Sequence, residues 1–305
     1  MTLAARWWSG AAGTPSPRQE DGENTVTCGL CIHDCAIAEG KWGYCGARRN
    51  DGGEMQSPYL GRFSSVAVDP IEKKPLYHWR PGSMIFSLGS LGCTMRCPFC
   101  QNHTIAQPRQ GTPPRRLTEI PPAALVARLR ELKLDSVAYT YNEPALQAEY
   151  ILEAAPLLRE NGIATVLVSN GMYSKALLTE FARVVDAVNI DLKTFNPKTY
   201  ARLGGSLDTV KQTISHFLSQ GVHVETTTLV VPGVSDSPEE FVREIEWLAS
   251  LSPDIPLHIS RYRPAHKFTA PPTDIGLLQR FAALAKTRLR RVHLGNVPML
   301  RVQGR

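Results

Sequence analysis

Seven cysteines are the residues of this chain whose types and spacing could do chemistry, and they fall into two groups. The first group follows the pattern Cys-x3-Cys-x2-Cys and consists of Cys93, Cys97 and Cys100. The second follows Cys-x2-Cys-x3-Cys-x9-Cys and consists of Cys28, Cys31, Cys35 and Cys45. The last 205 residues contain no cysteine, so none serves as ordinary core filler. This distribution indicates function.

The first group has an odd number of thiols, whereas a structural zinc site takes four ligands and a disulfide framework takes an even number. An iron–sulfur cube normally takes one thiolate per iron, so three thiolates leave one iron open to another ligand. The main alternative is a zinc site that borrows a distant ligand such as His103. The spacing favours the cluster.

Composition describes an ordinary globular protein of 305 residues, with 43% hydrophobic and 20% charged residues and a net charge of +6. Lysine and arginine are spread along the chain, so a nucleic-acid surface is not indicated. No apolar run approaches the roughly 20 residues that span a bilayer, and the first residues lack the apolar core of a secretory signal. We therefore expect a cytoplasmic protein, where paired cysteines more often bind metal than form disulfides.

From Ile85 onward, short runs rich in Val, Ile, Thr and Tyr alternate with helical patterns. The predicted strands are residues 85–90, 136–141, 164–170, 187–192, 223–231 and 256–262. Because parallel neighbours need crossover connections, six β/α repeats predict a parallel sheet, and six is fewer than the eight of a closed barrel. The expected fold is α/β: a partial (β/α)6 TIM-like barrel with a small Cys-rich N-terminal module.

Four predicted regions divide the chain. They are a flexible tail (1–24), a four-cysteine metal-binding module (25–83), the partial barrel (84–300) and a second tail (301–305). Within the barrel, Cys93, Glu143, Asn170 and Asp191 all lie at or just past the C-terminal ends of predicted strands. That end is the mouth of such a barrel, where ligands bind.

The sequence resembles the radical S-adenosylmethionine (SAM) superfamily, whose CxxxCxxC signature is complete in CTMRCPFCQN. The segments AYTYNEPAL, VSNGMYS, VNIDLKTF, VETTTLVVPGVSD, HISRYRPAHK and HLGNV follow in the order seen in pyruvate formate-lyase activating enzyme-like proteins. The upstream CGLCIHDC, GKWGYCGAR and DPIEKKPLYHWRPG resemble one branch, the radical SAM member of the AmmeMemoRadiSam system. Ile32 stands where that branch usually has proline.

The resemblance implies a [4Fe–4S] cluster on the first cysteine group and S-adenosylmethionine bound at its open iron. One electron would break the sulfonium C–S bond, giving methionine and a 5′-deoxyadenosyl radical that abstracts hydrogen from a substrate. Reduced flavodoxin or ferredoxin is the implied electron donor. The implied substrate is a glycyl-radical partner protein; a small molecule, a peptide or RNA is the alternative.

The resemblance also suggests residues that hold the cofactor. TYNEP contributes Thr140, Asn142 and Glu143, although two glycines of the commoner family motif are missing. The ends of the third and fourth strands contribute Ser169, Asn170, Asp191 and Lys193. Asp191 is a hard oxygen donor that suits a monovalent cation. Arg261, with Arg263 and His266, could bind a carboxylate or phosphate through the fork geometry of arginine, and a solvated charge is the alternative for these residues and for Lys193.

The four-cysteine group suits a tetrahedral zinc site that staples a module too short for its own core. It does not match the C-x2-C-x2-C-x3-C-P run of ferredoxins, but four thiolates satisfy an auxiliary iron–sulfur cluster equally well. The spacing leans slightly to zinc. A zinc-stabilised binding protein without radical chemistry is the competing reading of the whole chain.

Overall fold

The structure is a computed structural model that describes residues 4–10, 24–108 and 116–297. Its N-terminal part contains short strands joined by turns: β1 (Trp8–Ser9), β2 (Val26–Cys28), β3 (Cys35–Ile37), β4 (Arg49–Asp51), β5 (Glu54–Gln56), β6 (Arg62–Phe63) and β7 (Ser65–Pro70), the last followed by a 3-10 turn, Ile71–Lys73. Strands β1, β2 and β3 form an antiparallel sheet, and β4 and β5 form a hairpin.

The rest of the described chain alternates strands with helices. The strands are β8 (Met84–Gly89), β9 (Thr118–Glu119), β10 (Ser136–Tyr139), β11 (Ala164–Ser169), β12 (Ala187–Leu192), β13 (His223–Val230), β14 (Leu257–Arg261) and β15 (Val292–Gly295). The helices are α1 (His103–Ala106), α2 (Pro122–Glu131), α3 (Ala148–Glu160), α4 (Lys175–Val184), α5 (Pro197–Arg202), α6 (Leu207–Ser219), α7 (Pro238–Leu251) and α8 (Ile275–Lys286), with a 3-10 turn, Pro144–Gln147.

One eight-stranded sheet organises the protein, in the order β15-β14-β13-β12-β11-β10-β8-β7. All neighbours are parallel except β7, which runs antiparallel to β8. In the part of the chain that the structure describes, β15 and β7 are the two unpaired edges, so the sheet is open. The predicted α/β fold, a partial barrel with a Cys-rich N-terminal region, is confirmed.

Local sequence accounts for the helix ends. Four long helices begin at a residue whose side chain accepts a hydrogen bond from the backbone N–H three residues on: Ser174, Ser206, Ser237 and Asp274. Each such cap contributes about 1 kcal/mol. Gly162 and Gly221, predicted as helix stops, have φ values of +71° and +75°, the left-handed region that glycine adopts without strain.

Two edge strands extend the predicted six. The short run Val292–Gly295, which the sequence analysis left outside the six repeats, is a seventh parallel strand beside β14. Strand β7 lies within the predicted N-terminal module (25–83), yet it pairs with β8 as an edge strand of the barrel sheet. The chain that follows β7 then closes the N-terminal end of the barrel: Asn189 donates to Pro75 O (2.8 Å), and Glu225 accepts from the N–H groups of Tyr77 (3.1 Å) and His78 (2.8 Å).

The predicted N-terminal tail needs correction where it can be seen. Trp8 and Ser9 pair with Cys28 and Thr27, and the Arg6 backbone N–H donates to Glu149 (2.7 Å), so residues 4–10 are packed rather than free. Local sequence patterns do not report this packing, because the partners lie 18 or more residues away along the chain. Residues 1–3 and 11–23, and the predicted tail 301–305, lie outside the described residues. Among the described helices, none is both long and apolar enough to cross a bilayer.

Candidate functional site

The three-cysteine loop follows β8 and is held by backbone contacts to two other parts of the chain. Gly92 has a φ of +88°, and a Cβ built there would lie 2.4 Å from Cys45 O, so only glycine fits. The Cys93 N–H donates to the same Cys45 oxygen (3.3 Å), and the Arg96 N–H donates to Leu203 O (2.8 Å). The loop is therefore anchored on both the N-terminal part and the barrel wall.

All three thiols of this loop line one cavity of about 240 Å³ at the C-terminal ends of the strands. The other polar residues of its lining are Gln101, Asn102, Gln107, Tyr141, Asn142, Asn170, Asp191, Lys193, Thr227, Ser260 and Asn296. Cys97 is buried, whereas Cys93 and Cys100 are half-buried. No cysteine of the described chain forms a disulfide, so the thiols are free to bind a metal.

The chemistry of these donors fits an iron–sulfur cluster. Burial raises the pKa of Cys97 to about 11 and also raises the pKa of Cys93 and Cys100. The positive charge of Lys193 offsets part of the increase at Cys97 and Cys100. Buried thiols with high pKa values lose their protons only when a positive charge binds beside them, and a metal cluster supplies such a charge.

Asp191 and Lys193 form an ion pair in the lining of the same cavity. Lys193 Nζ donates to Asp191 Oδ2 at 2.7 Å, so the two side chains share one face although β12 ends at Leu192. Burial opposes the charged form of Lys193, but Asp191 and Cys97 together raise its pKa above its ordinary value. The pair therefore presents a fixed positive charge and a carboxylate beside the cysteines.

Glu143 lies behind the cavity wall. It is fully buried, caps the turn Pro144–Gln147 by accepting from the Ala145 N–H (3.0 Å), and accepts from Ser169 Oγ (2.9 Å) and the Asn170 N–H (3.1 Å). Burial raises the pKa of Glu143 to about 7, against the lowering effect of these hydrogen bonds. Its carboxylate thus positions Asn170, whose Nδ2 lies 3.5 Å from Cys93 Sγ.

The structure separates the cofactor residues suggested by sequence into two sets. Four line the cavity with the cysteines: Asn142, Asn170, Asp191 and Lys193. Four others do not line it: Thr140, Glu143, Ser169 and Arg261. Arg261 donates through Nε to Thr273 O (2.8 Å), and Arg263 is exposed. His103, the alternative zinc ligand, stacks on His266 with ring centroids 4.4 Å apart.

Sequence reasoning missed several lining residues, of which Tyr141 is the clearest. Tyr141 has a φ of +70°, the region that glycine favours, and it lies in the TYNEP segment, in which the resemblance noted two missing motif glycines. Its hydroxyl donates to Asp69 (2.7 Å), and the ammonium of Lys74 lies 4.6 Å from the ring centroid. A missing motif glycine was the available signal. Thr227 and Ser260 gave none, because strand alternation alone does not identify the inner face.

The second cysteine group lies in the N-terminal part of the described chain. Cys28 and Cys35 are cross-strand partners, and burial first, then the neighbouring thiols, raises the pKa of Cys28, Cys31 and Cys35. Cys45 acts electrostatically on each of these three. Taken over residues 4–10, 24–108 and 116–297, no three His, Cys, Asp or Glu side chains are already arranged as a single-ion site. Four thiols in this part of the chain nevertheless supply the kind of donors that zinc or a cluster would need.

Comparison with known proteins agrees with this geometry. A family model of the radical SAM superfamily matches residues 88–245. The uncharacterised protein MJ0808 of Methanocaldococcus jannaschii is 37% identical over 281 residues, covering 90% of this chain and 83% of that protein. A pyruvate formate-lyase-activating enzyme of Listeria monocytogenes is 22% identical over 167 residues, covering 52% of this chain and 67% of the enzyme.

Solved structures share the fold at low sequence identity. A radical SAM methyltransferase from Sphaerobacter thermophilus superposes with a TM-score of 0.52 at 16% identity, over 71% of this chain and 67% of that one. Streptococcus suis SuiB bound to S-adenosylmethionine gives a TM-score of 0.51 at 17% identity, over 67% of this chain and 47% of that one. On the family match, which covers more than half of its residues, this chain belongs to the radical SAM superfamily.

Proposed function

We propose that the protein is a radical SAM enzyme whose cavity binds a [4Fe–4S] cluster through Cys93, Cys97 and Cys100. The observation that carries the proposal is that these three free thiols line one cavity, in which no fourth cysteine takes part. Three ligands leave one iron open. When bound, the cluster and S-adenosylmethionine supply reductive cleavage of the sulfonium C–S bond, giving methionine and a 5′-deoxyadenosyl radical that abstracts hydrogen from the substrate.

The protein's own side chains have separate tasks in this proposal. Lys193 offers a positive charge to the carboxylate of the cofactor, and Asp191 offers hard oxygens to a monovalent cation near it. Asn142 donates to Ser90 Oγ (2.9 Å) and Gly92 O (2.8 Å), so it fixes the entry to the cysteine loop from within the cavity. We assign Glu143 to positioning rather than direct binding, because it is buried behind Asn170.

The proposed substrate is a protein that carries a glycyl-radical site, by analogy with the pyruvate formate-lyase-activating enzymes that match half of this chain. Radical modification of a small molecule, a peptide or RNA is the second candidate, since mechanism transfers between relatives better than substrate does. We assign the chain to the AmmeMemoRadiSam branch on its N-terminal motifs. The cytoplasm is the proposed compartment, because the cysteines are free and a reduced flavodoxin or ferredoxin is the proposed donor.

The test uses protein purified and reconstituted without oxygen. With dithionite and S-adenosylmethionine, we expect 5′-deoxyadenosine and a cubane EPR signal that changes when S-adenosylmethionine is added. Replacing Cys93, Cys97 or Cys100 by alanine should abolish the product. His103→Ala is the matched control: the cluster proposal expects full iron and product, whereas a zinc site completed by His103 expects loss of metal. Product from any of the three cysteine variants would refute the assignment.

A further inference from the structure

The second cysteine group lies directly against the first. The carbonyl oxygen of Cys45 accepts from the Cys93 N–H at 3.3 Å, so a residue of one thiol group is hydrogen-bonded to a residue of the other. Gly92 lacks a side chain where a Cβ would meet the same oxygen at 2.4 Å. This close approach is built into both loops.

Further contacts surround that hydrogen bond. Arg96 donates to Tyr44 O, and its guanidinium lies 4.5 Å from the centroid of the Tyr44 ring. The ring of His33 stacks on the same Tyr44 ring, with the two centroids 4.0 Å apart. The Nε2 atom of His33 lies 2.8 Å from Thr94 O, in the three-cysteine loop. The two cysteine loops therefore form one contact unit beside the cavity.

A purely structural metal does not account for this placement. The argument for a zinc staple is that a small module lacks a core of its own. Here the buried residues Val26, Leu30, Ile37, Met55 and Phe63 belong to the same hydrophobic cluster as the barrel. The module is thus held by packing, and its metal site needs another reason to lie against the three-cysteine loop.

The surroundings of the four thiols suit a redox centre. Arg48 is buried, pairs with Glu149, and its NH1 lies 4.0 Å from Cys28 Sγ. A positive charge and N–H donors near the sulfurs stabilise the reduced, more negative state of an iron–sulfur cluster. Cys35 is half-buried whereas the other three thiols are buried, so one ligand faces the surface from which an electron could enter.

We propose that Cys28, Cys31, Cys35 and Cys45 hold a second iron–sulfur cluster that relays the electron to the three-cysteine site. This inference rests on the proposed function and replaces the zinc reading suggested by sequence. When loaded, the second cluster would take one electron from a reduced flavodoxin or ferredoxin, and the Cys45 C=O···H–N Cys93 contact would give that electron a hydrogen-bonded route to the three-cysteine loop. The one electron would balance the reductive cleavage of the sulfonium C–S bond into methionine and the 5′-deoxyadenosyl radical, with no proton transferred.

The first experiment identifies the metal in the Cys93→Ala/Cys97→Ala/Cys100→Ala triple variant, purified and reconstituted without oxygen. We expect about four irons per chain, no zinc, and a reduced EPR signal that S-adenosylmethionine leaves unchanged. We also expect magnetic coupling between two clusters in the fully reduced wild type, which the triple variant should lack. One zinc with no iron in the triple variant, or uncoupled signals in the wild type, would overturn the proposal.

The second experiment separates the relay from the reaction. We compare Cys31→Ser with the wild type, using reduced flavodoxin in one assay and dithionite in the other, after circular dichroism has shown the native fold. The relay expects at least a tenfold loss of 5′-deoxyadenosine with flavodoxin and retained product with the small reductant. Equal loss with both reductants, or no loss, refutes the relay. Absence of product from the wild type with dithionite would instead refute the proposed function.

Discussion

The buried ion pair between Arg48 and Glu149 fastens the N-terminal part to helix α3, and its removal should have a large effect. The two side chains are 1% and 2% exposed, so water does not screen them. Glu149 also accepts from the Arg6 N–H at 2.7 Å, and Arg48 donates to Arg6 O at 2.6 Å. Replacing Arg48 by methionine keeps an unbranched apolar stem but removes the guanidinium, which leaves the carboxylate buried without its cation. The expected loss of stability is about 3–5 kcal/mol.

The double variant Arg48→Met/Glu149→Leu should behave differently from the single one. Within the described residues, Arg48 Nε and Glu149 Oε2 have no hydrogen-bond partner, so the pair is incompletely compensated. Replacing both charges removes the desolvation cost together with the attraction. The Arg6 N–H and C=O also lose their partners in the double variant, so we expect it to recover only part of the loss, to about 1–3 kcal/mol below the wild type. That partial recovery distinguishes a buried charge pair from lost packing.

Urea unfolding of the metal-loaded protein at pH 7, followed by circular dichroism, measures these free energies. The neighbouring Arg49→Met is the matched control, because Arg49 pairs with Asp51 at 33% and 61% exposure and should cost less than about 1 kcal/mol. If Arg48→Met were as mild as Arg49→Met, or if the double variant were as unstable as the single one, the account of this pair would be wrong.

Three further predictions test separate features. Burial raises the pKa of Glu244 to about 8, so between pH 4.5 and 8 ionisation of this group favours the unfolded chain. Replacing Glu244 by glutamine should therefore add roughly 3 kcal/mol of stability at pH 7 and almost none at pH 4. An equal gain at both pH values in urea titrations would contradict this. Asp191→Asn should weaken S-adenosylmethionine binding by roughly tenfold to a hundredfold in EPR titrations while cluster iron stays bound, and unchanged affinity would remove its cation role. Gly92→Ala should lower the iron content of the three-cysteine site, because the added Cβ would meet Cys45 O. The control is Gly82→Ala, at a φ of +78° with nothing within 4 Å, which should keep full iron. Equal iron contents in the two variants would show that the contact is not needed.

The sequence predicted the repeating part of the fold because each strand and helix carries its own local signals. All six predicted strands occur within two residues of their expected ends, and helix caps such as Ser237 are readable from single residues. The edges of the sheet were harder. Strand β15 has only four residues, all half-buried, and a short run of that kind has no period to distinguish it from a loop. Strand β7 is defined by its pairing with β8, which no local pattern reports.

The residues of the site also separate into those with a local sequence signal and those that depend on long-range packing. Residue type and spacing singled out the three thiols, and the family resemblance singled out Asp191 and Lys193 separately. Their ion pair is a finding of the structure. The contact between Cys45 and Cys93 joins positions 48 residues apart, and it depends on how two irregular loops pack rather than on any periodic pattern. A glycine at position 92 is the local trace of that packing, since the carbonyl oxygen of Cys45 occupies the space that a Cβ would need. A glycine directly before a ligand cysteine therefore indicates that another backbone segment packs closely against the ligand loop. In this protein that segment contains Cys45 of the second thiol group.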